Sequence, residues 1–249
     1  MMKSLQVRGV EIGTGIPKIS VPIVGSTAEQ ILAQAQAVAD SPAQIAEWRV
    51  DYAPEEILQR PEEMMGQLRS ILGEKLLLVT FRSKAEGGER EIRSEDYVRF
   101  CEAAVLSRQT DLLDVELSAG EDVCASIIRT AEAAGVYTVI SSHFFTHTPQ
   151  NEQIWDLFQK MEESGASIPK LAVMPQNRQD VLRLMQIGQE YAAKTDRPLI
   201  LISMGKLGMV SRLAGELTGS CITFGTAGQA SAPGQIDAVT LDKILQVLH

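Results

Sequence analysis

The sequence predicts an α/β protein, a parallel (β/α)8 TIM barrel with an amino-terminal β-hairpin plugging the bottom. Three observations carry this: eight short β-rich apolar runs, eight helical patterns alternating with them, and no proline-rich or low-complexity linker between them. Such alternation is the pattern of parallel βα units, and 249 residues is the usual length of one closed barrel. Residues 1–249 are therefore expected to form a single domain. A doubly wound open sheet competes with this reading, but it needs a G-x-G-x-x-G after the first strand, and none stands there.

Residues 5–12, with Gly9 in the middle, alternate like a small hairpin and are expected to form the plug. The first barrel strand, residues 19–24, leads into a helix over 27–40, where Ser26-Thr27-Ala28-Glu29 reads as a capping box. A strand at 45–50 precedes a helical pattern over 55–72, and a strand at 76–81 precedes a helix over 95–108. Ser94 there stands before the acidic first turn Glu95-Asp96. The pairs that follow are strand 112–117 with helix 122–134, strand 136–141 with helix 151–164, and strand 168–174 with helix 179–194. Strand 199–203 with helix 210–217, and strand 221–224 with helix 237–248, complete the count.

A net charge of −9 and a pI near 5.0 leave no basic face for nucleic acid or an anionic membrane, so a small soluble metabolite is the expected partner. Cys101, Cys124 and Cys221 are far apart, odd in number and without C-x-x-C spacing. Neither a disulfide framework nor a zinc site is indicated, and core thiols in a reducing cytoplasm fit best. The first eight residues lack a long apolar signal region, and no stretch of about 18 apolar residues occurs. A cytoplasmic location is expected.

Alternate strand residues of a barrel point to its axis, and functional groups gather at the carboxyl ends of the strands. Glu47 and Arg49 flank Trp48; if Trp48 packs on helices, both charges face inward. Asp114 and Glu116 repeat the spacing, with pairing among the charges as the structural explanation. Two guanidinium groups at a cavity mouth, Arg49 and Arg82, suit a bidentate oxyanion. His143 closes the fifth strand, where an imidazole can take and return a proton, while His147 beyond it reads as a loop residue. Lys170 is the basic residue at the head of the apolar run Ile168-Pro169-Lys170-Leu171-Ala172-Val173-Met174. A desolvated lysine sheds its proton more easily and then attacks carbonyl carbon, whereas a strand-edge lysine with its ammonium in solvent does nothing. The last loop, residues 224–235, contains Gly225, Gly228 and Gly234 as hinges, and Ser231 and Gln235 as neutral hydrogen-bonding groups. Lys206 is the one basic candidate for a phosphate cup nearby, and it lacks P-loop spacing.

Taken in order, these segments resemble the type I 3-dehydroquinate dehydratases of the shikimate pathway, which serves aromatic amino acid biosynthesis. The resemblance runs through Pro17-Lys18-Ile19, Glu47-Trp48-Arg49-Val50-Asp51, Thr80-Phe81-Arg82, Glu86-Gly87-Gly88, His143, the run from Ile168 to Pro175, Ser211-Arg212-Leu213-Ala214-Gly215-Glu216 and Ser231-Ala232-Pro233-Gly234-Gln235-Ile236. It covers nearly the whole chain. It implies that Lys170 forms an imine with the C3 ketone of 3-dehydroquinate, that His143 is the acid and base, and that Glu86 orients His143. It further implies that Arg212 clamps the substrate carboxylate, that Glu47, Arg49, Arg82, Ser231 and Gln235 hold the ring hydroxyls, and that Met204 and Phe224 form apolar walls. No metal or organic cofactor is implied, and a homodimer is. The lysine must then reach along the barrel interior, since its place in the strand lies away from the carboxyl end.

Two departures stand out. Pro22 occupies a position where many relatives carry serine, and Phe144-Phe145-Thr146-His147 lacks the acidic residue common just after the family histidine. A Schiff-base aldolase shares barrel and lysine, and a non-catalytic metabolite-binding barrel needs no reactive amine; these are the competing readings.

Overall fold

A computed structural model of the protein describes residues 4–228 and 234–249. Strands β1 (Leu5–Val7) and β2 (Val10–Ile12) form an antiparallel hairpin. Its two-residue turn, Arg8-Gly9, has φ of 44° and 78°, the left-handed pair that a tight hairpin of right-handed twist demands. The barrel strands are β3 (Lys18–Ile23), β4 (Ile45–Arg49), β5 (Leu76–Thr80), β6 (Leu112–Glu116), β7 (Tyr137–Phe144), β8 (Ile168–Val173), β9 (Ile200–Ser203) and β10 (Ile222–Thr226). They pair in sequence from β3 to β9, all parallel, with β10 on the free side of β3. The ring closes through a narrow seam between β9 and β10, a parallel bridge at Leu199 and Ser220 with Cys221 N–H donating to Leu199 O at 2.7 Å. A short β11 (Ile236–Asp237), absent from the sequence-based count, lies beside β10.

The period-2 alternation of each strand divides the apolar residues into two layers. One face, including Val21, Trp48, Val79, Val115, Ile140, Leu171 and Leu201, packs under the helices. The other, including Ile45, Leu76, Leu78, Leu112, Val139, Ile168, Ile200 and Ile222, fills the lower barrel together with Val7 and Ile12 of the hairpin. Ile12 is fully buried there, so the hairpin seals the amino ends of the strands. Two residues further along the same inward face, apolar side chains give way to charged ones: Ile45 to Glu47 and Arg49, Leu112 to Asp114 and Glu116, Ile168 to Lys170. The barrel axis is thus oily below and ionic above.

Helices α1 (Ala28–Ala39), α2 (Glu55–Leu58), α3 (Pro61–Leu72), α4 (Ser94–Leu106), α5 (Glu121–Ala133), α6 (Asn151–Glu163) and α7 (Arg178–Ala192) follow successive strands. The pattern over 55–72 is two helices, because Pro61 disfavours helical geometry at Arg60 (φ −141°, ψ 62°) and starts α3 at its first position. The α1 cap is one residue later than expected: Thr27 accepts from Gln30 N–H, while the Gln30 side chain reaches back to Ser26. Ser94 is the first residue of α4 and makes no side-chain cap. The expected helix over 210–217 is instead α8 (Gly205–Gly208), a 3-10 turn at Met209–Arg212, and α9 (Gly215–Thr218). Ser211 enforces this tight path, its Oγ accepting from Ser203 N–H at 2.9 Å and donating to Gly208 O at 2.8 Å. Helix α10 (Ala238–Leu248) ends the chain, burying Leu241 and Leu245 and exposing Val247 and Leu248. Among the described residues no helix is long and apolar enough to cross a membrane.

Pro22 sits within β3, yet the pairing of β3 with β10 stops at Ser20, so the missing N–H costs no ladder bond on that side.

Candidate active site

A cavity opens at the carboxyl ends of the strands above the apolar plug. Its lining includes Glu47, Arg49, Arg82, His143, Lys170, Met204, Arg212, Phe224 and Gln235, nine of the sequence-predicted site residues. Of the other two, Glu86 lies directly behind His143, and Ser231 falls outside the described residues.

Lys170 is 3% exposed, which removes the solvent-facing alternative. It is the third residue of β8, paired with Ser141 and Ile200, and its stem rises from the apolar layer so that Nζ emerges among carboxylates. Nζ donates to Asp114 Oδ2 at 2.9 Å, lies 3.6 Å from Glu47 Oε1, and stands 4.9 Å from the Phe224 ring centre. The long side chain reconciles a mid-strand residue with a site at the strand ends. Glu47 is steadied by Thr80, whose Oγ1 donates to its Oε1 at 3.1 Å. Asp114 also accepts from Arg82 at 2.8 Å and from Ser141 Oγ at 2.6 Å. Burial works against its ionised form, but Arg82 and Lys170 outweigh that and hold the Asp114 carboxyl well below the usual carboxylate range.

His143 Nδ1 lies 2.8 Å from Glu86 Oε2, and the other Glu86 oxygen accepts from Ser118 Oγ at 2.5 Å. An ionised Glu86 can only accept, so Nδ1 carries the proton and Nε2 keeps its lone pair. Burial, with Arg82 and Lys170 nearby, pushes the imidazole well below its ordinary value, so His143 rests neutral. Burial also raises the Glu86 carboxyl to about 7, against the opposing pull of Arg82. The glycines after Glu86 are what let this loop fold back. A Cβ on Gly88 would lie 1.9 Å from Arg82 O, and one on Gly87, at φ 82°, would lie 2.3 Å from the Phe145 ring. That ring in turn stacks on His143, with centres 6.4 Å apart. Phe144, in the loop that lacks the acidic residue common just after the family histidine, packs edge-on against His147.

The arginines divide their work differently from the sequence-based expectation of an oxyanion held between Arg49 and Arg82. Arg82 is committed to Asp114, to Glu116 at 2.8 Å and to Ser141 at 3.0 Å, and Arg49 makes a two-pronged pair with Asp51 at 2.8 and 2.7 Å. Charges on neighbouring strands find one another before they find a ligand, because an unpaired buried charge is costly. Arg212, brought in by the 3-10 turn, also lines the cavity; it is 2% exposed, and burial draws it down to about 10. Asp51, Asp114, Ser118 and Phe145 complete the site but were not among the predicted site residues. The Asp114-Val115-Glu116 alternation carried a signal for Asp114; a single serine after a strand carries none. Among the described residues no group of three or more His, Cys, Asp or Glu is placed to hold a metal ion.

A parallel barrel whose carboxyl end holds a cavity of buried, mutually oriented ionisable groups is the architecture of a (β/α)8-barrel enzyme. A model of the type I 3-dehydroquinase family matches residues 19–249. The 3-dehydroquinate dehydratase of Syntrophotalea carbinolica is 44% identical over 252 residues, spanning 100% of this chain and 99% of the relative. That of Bacillus subtilis is 41% identical over 252 residues, spanning 100% and 98%. The crystal structure of the type I 3-dehydroquinate dehydratase from Clostridium difficile with covalently modified comenic acid superposes with a TM-score of 0.96 at 41% identity, covering 100% of this chain and 99% of that one. The chain belongs to the type I 3-dehydroquinase family and is, with it, a hydro-lyase.

Proposed function

We propose that the protein converts 3-dehydroquinate to 3-dehydroshikimate through an imine on Lys170, with His143 as proton carrier. One observation carries this reading: Lys170 is the only buried lysine among the described residues, and it shares its cavity with His143, whose Nδ1 lies 2.8 Å from Glu86. The lysine nitrogen gives up its ammonium proton and attacks the C3 ketone, a C–N bond forms, and the ketone oxygen leaves as water with that proton and one more from the nitrogen, so that the positive charge stays on the iminium nitrogen. The iminium draws electrons from C2, so His143 Nε2 removes the C2 proton and the freed pair makes the enamine. The imidazolium then protonates the C1 hydroxyl, which departs as water. The enamine electrons form C1=C2 and restore the iminium, whose hydrolysis frees product and lysine.

The supporting groups follow from charge and position. Arg212, a buried guanidinium on the cavity wall, holds the substrate carboxylate. Glu47, Arg49 and Gln235 face the ring hydroxyls, while Met204 and Phe224 wall out water. Arg82 acts on the ring from a position already tied to Asp114 and Glu116, so its larger contribution is to hold those carboxylates still.

The test is to mix protein with 3-dehydroquinate, add borohydride, and map the adduct by peptide mass spectrometry while following enone absorbance in an untreated sample. A Lys170 adduct together with enone formation is expected; enone without any lysine adduct overturns the covalent route. A pH profile adds a second check. Activity requires Glu86 ionised, as the acceptor that keeps Nδ1 protonated and Nε2 basic, so kcat/KM is expected to fall as pH drops through about 7. His143 stays neutral across that range, so Glu86→Gln should abolish this acid limb at a reduced rate. An unchanged limb in that variant would assign it to another group.

A further inference from the structure

The imine reading leaves unexplained why Lys170 Nζ is bound to a carboxylate that takes no part in moving protons. Asp114 Oδ2 lies 2.9 Å from Nζ, its side chain has no exposed surface, and its other oxygen is held by Arg82 at 2.8 Å and Ser141 at 2.6 Å. Three groups on three different strands or strand ends, Lys170, Arg82 and Ser141, therefore converge on this one carboxylate. We propose that Asp114 is a catalytic residue, the fixed counter-ion that neutralises the positive charge on Lys170 Nζ in both the resting ammonium and the substrate iminium; the proposal rests on the imine reading above.

The charge balance explains the arrangement. Ammonium plus ketone gives iminium plus water, with one positive charge on the nitrogen at each end. A counter-ion already in place lets covalent attachment proceed without a new unpaired buried charge. When His143 takes the C2 proton, the nitrogen becomes a neutral enamine and the positive charge moves to the imidazolium, which faces Glu86 at 2.8 Å. Each station of the charge thus has its own carboxylate. Asp114 is too weak a base to act instead as proton acceptor, because Arg82 and Lys170 hold it ionised despite its burial.

The charged neighbours of the pair are Glu47 on β4, Arg82 and Glu86 after β5, Glu116 on β6 and His143 on β7, with Arg49 contributing at longer range. Of these only Glu47, at 3.6 Å, can substitute in part for Asp114.

The experiment is trapping of the Lys170 iminium by cyanoborohydride in the presence of 3-dehydroquinate, across pH 6 to about 10, in wild type and Asp114→Asn. Cyanoborohydride reduces the protonated imine, so the pH at which trapping falls to half reports how firmly the nitrogen keeps its proton. Loss of an adjacent carboxylate is expected to lower that pH by about one to two units. An unchanged midpoint in a variant with wild-type circular dichroism overturns the proposal. If the Asn variant does not fold, Ser141→Ala loosens the same carboxylate and is expected to move the midpoint in the same direction by less. No movement there overturns it equally. Absence of any adduct in the wild type refutes the imine reading itself, a result distinct from a normal wild-type adduct with an unmoved variant.

Discussion

Replacing Lys170 by Met is expected to lower kcat by more than about 10⁴-fold, beyond the roughly 10²–10⁴-fold that acid-base assistance supplies. Methionine fills much of the space of the lysine stem, and Asp114 keeps Arg82 and Ser141 as partners, so the loss should be chemical rather than structural. Steady-state enone absorbance, with circular dichroism as a folding control, checks it. A folded variant retaining activity within about 10²-fold of wild type would show that the amine assists without bonding to substrate. The same variant separates this enzyme from a binding barrel, where ligand affinity would survive the substitution and no turnover would exist to lose.

Replacing His143 by Ala is expected to reduce turnover by about 10²–10⁴-fold while leaving imine formation intact. The proton carrier is lost, but Lys170 and its carboxylates lie on β4, β6 and β8 and do not depend on the imidazole for position. Glu86 retains Ser118 and lies 3.5 Å from Arg82. The distinguishing result is accumulation of a borohydride-trappable Lys170 adduct at a rate of product formation near background. Disappearance of the adduct together with activity would mean that His143 is needed to build the imine, and would place its role earlier in the sequence of steps.

Local pattern carried much of the architecture. Trp48 between Glu47 and Arg49 showed which face of β4 turns outward, and Trp48 is indeed fully buried under the helices while its neighbours line the cavity. The hairpin was legible from Gly9 and the alternation about it. Helix interruptions were less so. The break before α3 was written in Pro61, but the tight turn carrying Arg212 depends on Ser211 meeting Ser203 at the end of β9, a side-chain contact that apolar periodicity does not register.

The charged site shows the same division. Residue type and strand alternation brought Glu47, Arg49, Lys170 and His143 into view, since a charge on a barrel strand must face inward or find solvent. Which charge meets which could not be read in this way. Lys170 and Asp114 are 56 positions apart, and His143 and Glu86 are 57 apart, so each pairing is set by the stagger of neighbouring strands and the fold-back of a glycine loop. The two arginines expected to share an oxyanion are instead claimed by Asp51, Asp114 and Glu116.

By itself, the sequence determined the barrel, the inward faces and the family, because periodicity and motif order are properties of the chain. The tertiary structure alone decided that the lysine rests against Asp114, that the histidine faces Glu86, and that Arg212 is buried on the cavity wall. Those outcomes depend on distance and desolvation, which exist only once distant strands have closed around a common axis.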